Sequence, residues 1–115
     1  MEISKENITD WLKQLQSTIC DALEKADGKA TFSNENWTRA EGGGGISRVI
    51  QNGSVIEKGG VMYSAVHGDA PDFLFKESEH TIFKEKTSKP KFYATGVSIV
   101  IHPVSPMVPI IHMNV

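Results

Sequence analysis

The chain of 115 residues holds one cysteine, Cys20. That excludes an internal disulfide and a cysteine-rich zinc centre. Excess charge is also missing: 12 Lys and Arg face 14 Asp and Glu, for a net charge of −2. Neither nucleic acid nor an anionic membrane surface would meet a basic field. The one local basic run, Lys84 to Lys91 (KEKTSKPK), reads as a solvated loop. No apolar run is long enough for a membrane span. The opening MEISKENITDW has neither a basic n-region nor an apolar h-region, so it does not read as a secretory signal. The expected setting is reducing and cytoplasmic. No internal repeat appears, and the only low-complexity segment is Gly42 to Gly45. A length of 115 residues allows one domain with a modest core.

Within that frame, Ile8, Trp11, Leu12, Leu15, Ile19, Cys20, Leu23 and Ala26 recur at helical spacing. They predict an amphipathic helix over about 4–27, with Ser4 as N-cap and Gly28 just past the end. Cys20 falls on its apolar face and reads as a small buried hydrophobe.

Beyond Gly28 the pattern turns to strands. Ala30–Trp37, Ile46–Ile50, Ser54–Glu57 and Val61–Val66 are candidates. Asn52-Gly53 between apolar runs predicts a type I′ hairpin turn. The four glycines lack the following Gly-Lys-Ser/Thr of a phosphate loop, so a flexible loop with a close backbone approach is expected. Asp69 to Lys91 is the least regular stretch, with a short helix expected over Asp72–Ser78. The fold class is α+β: an N-terminal helix and then an antiparallel meander over about 30–115.

The closing stretch, ATGVSIVIHPVSPMVPIIHMNV, sets polar residues inside two β-branched runs. Strand side chains alternate between faces. Ser98, Val100 and His102 therefore share one face, and Ile110, His112 and Asn114 share one face of the second run. The opposite faces, Val97, Ile99, Ile101 and then Ile111, Met113, Val115, read as core. If the runs pair about Pro106, Ser98 lies opposite Asn114 and Val100 opposite His112. One polar patch of Ser98, His102, His112 and Asn114 results. The three prolines argue for a wide loop rather than a tight hairpin. A hydroxyl, an amide and two imidazoles can bind carboxylates, and an imidazole can move protons near neutral pH. The alternative for each histidine is a hydrogen-bonded structural role. His102 and His112 can share a metal only if further ligands join them.

Several of these segments resemble the oxygen-dependent coproporphyrinogen III oxidases. They are Trp37-Thr38-Arg39-Ala40-Glu41, Gly44–Gly53 (GGISRVIQNG), Val55–Val61 (VIEKGGV), Val66-His67-Gly68 and, above all, the closing stretch. The resemblance runs from about Asn36 to Val115 and is weakest between Asp69 and Lys91. It implies a large antiparallel sheet flanked by helices and a homodimer, expected to form through sheet edges. It implies oxidative decarboxylation of two propionates of coproporphyrinogen III, giving protoporphyrinogen IX. Molecular oxygen is the co-substrate and no organic cofactor is required. Some members have been described with a divalent metal at histidines matching His102 and His112. By the same resemblance, Ser98 and Asn114 hold substrate and His112 is the catalytic acid or base. Family chains are more than twice as long, and their essential Asp and Arg lie beyond the position of Val115. The chain therefore reads as an incomplete, N-terminal portion, with weak or absent turnover alone. A non-catalytic tetrapyrrole- or anion-binding module and a dimerising module are the alternatives.

Overall fold

The computed structural model describes residues 3–69 and 91–115. One helix, α1 (Lys5–Asp27), precedes five strands: β1 (Glu35–Thr38), β2 (Gly43–Gln51), β3 (Ile56–Asp69), β4 (Lys91–Pro103) and β5 (Ile111–Asn114). The strands pair in chain order, each antiparallel to the next, as a meander. The expected α+β architecture is borne out. The expected short helix at Asp72–Ser78 and most of the basic run lie outside the described residues. Lys91, the last of that run, is exposed and opens β4 instead of ending a loop.

The ends of α1 follow from their residues. The Asn7 N–H donates to Ser4 Oγ at 3.2 Å. Gly28 adopts φ +79° and its N–H reaches the Glu24 carbonyl at 2.9 Å. Such a left-handed residue suits glycine. Leu12, Gln16 and Cys20 are buried, with Leu15, Ile19 and Leu23 packed beside them. They meet one face of the sheet, where Ile50, Val61, Tyr63, Val97, Ile99 and Ile101 are buried. Each such side chain contributes roughly 1.5–3 kcal/mol on burial. Ile8 and Trp11, expected on this face, are exposed. Near its start the helix meets the sheet through Thr9, whose hydroxyl lies 2.9 Å from that of Tyr93, and through Lys13 over the Tyr63 ring. Ile8 and Trp11 are thereby turned aside.

Cys20 is fully buried. Burial is the main cause that pushes its thiol up to about 11, opposed by the nearby Arg48 charge. Only the thiolate is nucleophilic. Native protein should therefore resist a thiol reagent such as dithionitrobenzoate at pH 8 and react with one equivalent once unfolded in urea. Fast native labelling would contradict this packing.

Four expectations need correction. Residues 30–34 form no strand. The N–H groups of Lys29 and Ala30 go to the Asp27 carboxylate and that of Phe32 to Glu24 Oε1 at 2.7 Å, so these donors are not free for a ladder. The glycine run is mostly strand. Arg39 N–H donates to the Gly43 carbonyl at 2.8 Å and Gly42 N–H to that of Arg39 at 3.0 Å, so β2 starts at Gly43. At Asn52-Gly53 only Asn52 takes positive φ, +59°, and the turn widens through Val55. The Ser54, Val55 and Ile56 N–H groups are held by Asp27, which draws the segment out of a two-residue turn. The strand expected at Ser54–Glu57 instead merges, from Ile56 on, with the one expected at Val61.

Candidate functional site

Alternation divides the sheet into two faces. One carries α1. The other bears Trp37 on β1, Gly45, Ser47 and Val49 on β2, and Lys58, Gly60, Met62 and Ser64 on β3. Ser98, Val100 and His102 on β4, then His112 and Asn114 on β5, complete it. No described element packs over this second face. The β-branched run Val97–Ile101 places β4 between β3 and β5, its odd residues buried under α1 and its even residues turned outward.

The pairing of β4 with β5 is the one that the sequence implies. Ser98 is opposite Asn114 and Val100 opposite His112. The connection is wide, spanning residues 104–110. Within it, Val108 N–H donates to the Ser105 carbonyl at 3.2 Å and Met107 N–H to Ser105 Oγ at 3.2 Å. Val104 N–H ties the loop to the Val55 carbonyl at 2.8 Å. The opposite face of β5 departs from expectation: Ile111, Met113 and Val115 are 50, 47 and 54% exposed rather than core. The helix packs on β3 and β4, and β5 is the outermost strand. Its outer backbone edge has no strand neighbour among the described residues.

Ser98 and Asn114 line one cavity of about 230 Å³, together with Ser64, Ala94, Gly96 and Val115. His102 lines a separate cavity of about 260 Å³ with Lys58, Met62 and Val100. His112 lies between them in register, beside Val100, and lines neither. The four candidates thus share a face without converging on one point. Among the described residues, the side chains of Ser98, His102, His112 and Asn114 engage no protein partner. They are free to meet a ligand. His102 and His112 sit diagonally across the β4–β5 pair, and no group of three or more His, Cys, Asp or Glu able to hold a metal occurs among the described residues.

Sequence reasoning missed Ser64, Lys58 and Trp37. Ser64 lies opposite Gly96 on one side and Gly45 on the other, so neither directly opposed residue sets a side chain beside its hydroxyl. Its polarity within VMYSAV was visible, but its cross-strand neighbours were not. Trp37 lies across from Gly45, and a Cβ on Gly45 would come within 2.5 Å of indole Cζ2. The glycine therefore lets the ring lie down on the sheet. The helix side holds a larger cavity of about 440 Å³, lined by Thr9, Lys13, Asn36, Tyr63, His67 and Tyr93 among others, and none of the four candidates touches it.

The sequence profile of coproporphyrinogen III oxidase matches residues 7–115. A protein of Prochlorococcus marinus subsp. pastoris named oxygen-dependent coproporphyrinogen-III oxidase is 44% identical over 113 residues, covering 96% of this chain and 31% of its own length. A soybean (Glycine max) protein named oxygen-dependent coproporphyrinogen-III oxidase, chloroplastic, is 43% identical over 103 residues, covering 90% of this chain and 27% of its own. The chain thus spans less than a third of the length of these relatives. No described helix is long and apolar enough to cross a membrane. On the strength of a match that takes in nearly every residue, the chain belongs to the coproporphyrinogen III oxidase family.

Proposed function

We propose that the uncovered sheet face is part of the substrate site of an oxygen-dependent coproporphyrinogen III oxidase. The observation that carries this reading is the pairing of Ser98 with Asn114 beside Val100 with His112, all on one face. Ser98 and Asn114 hold carboxylate or pyrrole groups of the substrate. His112 binds the substrate and acts as acid or base, its placement mattering as much as its basicity. In the reaction, each of two propionates takes up one proton and one dioxygen and becomes vinyl, carbon dioxide and hydrogen peroxide. The electron-rich porphyrinogen supplies reactivity once a pyrrole N–H is deprotonated, and the protein holds the propionate in line. No organic cofactor enters this scheme.

A divalent metal at His102 and His112 would find two nitrogens where a zinc centre takes at least three protein ligands. The donor set does not fit among the described residues, and no step is routed through a metal. A homodimer joined through sheet edges belongs to the same proposal and is supported by the outer edge of β5, which has no strand neighbour among the described residues. A cytoplasmic setting suits the lone cysteine. Because the chain spans under a third of its relatives' length, binding with weak or absent turnover is expected of these 115 residues by themselves.

Titration with coproporphyrin III, the stable oxidised form of the ring, tests the reading. Ser98→Ala, His112→Ala and Asn114→Ala should each weaken binding about five- to twentyfold, the loss of one or two hydrogen bonds to a charged group. Unchanged affinity in all three would refute it.

A further inference from the structure

We infer that Lys58 and His102 form a second carboxylate-binding subsite on the same face, taking another acid arm of the same tetrapyrrole. The inference rests on the substrate reading above. Lys58 of β3 stands directly opposite His102 of β4. Both side chains are exposed, and neither engages a partner among the described residues. They rim the cavity of about 260 Å³, whose floor is Val49, Gly60, Met62 and Val100. An apolar floor with an ammonium and an imidazole at its edge matches a short hydrocarbon arm ending in a carboxylate. The methylenes lie on the floor, and the anion meets N–H donors at the rim.

The spacing links this subsite to the first. His102 follows Ser98 by four residues on one strand, which at 3.3 Å per residue is about 13 Å. Between them Val100, Met62 and Gly60 form an apolar floor with no competing charge. A tetrapyrrole macrocycle with acid arms on its rim spans that gap. One arm reaches Ser98 and Asn114, another reaches Lys58 and His102, and His112 sits beside the ring between them. A nucleic-acid phosphate is the poorer fit, because a chain of net charge −2 offers no basic field to extend the contact.

The test titrates the 115-residue chain with coproporphyrin III and with its tetramethyl ester, which keeps the ring and arms but removes the charges. Binding is read from quenching of Trp37 fluorescence in a Trp11→Phe background. Lys58→Met should weaken the tetra-acid about three- to tenfold and leave the ester unchanged. Lys58→Arg should stay within about twofold of the parent for both, and His102→Ala should resemble Lys58→Met. Circular dichroism melts check that each variant folds. If Lys58→Met binds the acid like the parent while Ser98→Ala weakens it, the subsite is wrong and the substrate reading stands. Equal weakening of acid and ester by Lys58→Met also overturns the subsite. If the parent binds neither probe, or Ser98→Ala, His112→Ala and Asn114→Ala change nothing, the substrate reading falls and the subsite with it.

Discussion

Replacing Asp27 by alanine should lower the melting temperature by more than about 10 °C. No other side chain among the described residues gathers so many backbone donors. Its Oδ1 accepts from the Val55 and Ile56 N–H groups at 2.9 and 2.8 Å. Its Oδ2 accepts from Lys29, Ala30 and Ser54 at 3.2, 2.9 and 3.1 Å. One carboxylate thereby closes the end of α1, shapes the segment after it and fastens the β2–β3 turn. Gly53 contributes by lacking a side chain, since a Cβ there would collide with the carboxylate. Alanine would leave these donors to water or to nothing, and the turn would lose its anchor. The substitution Asp27→Asn keeps one acceptor oxygen but turns an amide N–H₂ toward backbone N–H groups, so an intermediate loss is expected.

The same carboxylate sets an acid limit. The Ala30 N–H first, and then those of Ile56 and Val55, hold its carboxyl well below the usual carboxylate range. An unfolded Asp titrates near about 3.9. The depressed folded value means that this contribution is fully present above that pH and is lost as pH falls toward the folded value. The melting temperature of the parent should therefore drop below about pH 4, and Asp27→Asn should show a flatter profile there. Equal acid sensitivity in both proteins would show that other groups govern the transition.

Much of the proposed site was legible because it depends on parity. Ser98 shares a face with His102, and His112 with Asn114, by alternation alone; pairing about Pro106 joins the two pairs, and prolines at 103, 106 and 109 force a wide connection. Burial is a different matter, for it depends on where the helix lies. Ile111 and Met113 continue the apolar face of Ile101 and Ile99 across the pair, yet α1 does not reach them. The helical period likewise marked Ile8 and Trp11 as inward, and Thr9 and Lys13 took their place at the sheet. Local pattern also failed at residues 30–34 and at Ser54. There side-chain carboxylates compete for the backbone donors, Asp27 and Glu24 at Ala30 and Phe32 and Asp27 again at Ser54, and the strand pattern does not announce them. Lys58 and Ser64 were missed for a related reason. Each becomes part of a site only through its cross-strand neighbours, His102 for one and Gly96 for the other.

The second large effect is expected at Gln16, which joins the helix to the sheet from within the core. It is 2% exposed, and its Nε2 donates to the carbonyls of Ile46 on β2 at 2.8 Å and Val61 on β3 at 2.9 Å. A polar group so deep is tolerated because it is hydrogen-bonded. Gln16→Ala removes both bonds and opens a cavity, for a loss of about 2–4 kcal/mol in urea unfolding. Gln16→Met keeps the volume and loses only the donor, so about 1–2 kcal/mol is expected. A methionine variant as stable as the parent would mean that packing alone holds the helix here. The effect should be confined to stability. Gln16 lies under the helix-covered face, and Ser98, His112 and Asn114 project from the other. Under conditions where the variants remain folded, their affinity for coproporphyrin III should stay within about twofold of the parent. A larger change would mean that the helix controls the shape of the binding face through the strands, and that the two faces of this sheet are energetically coupled.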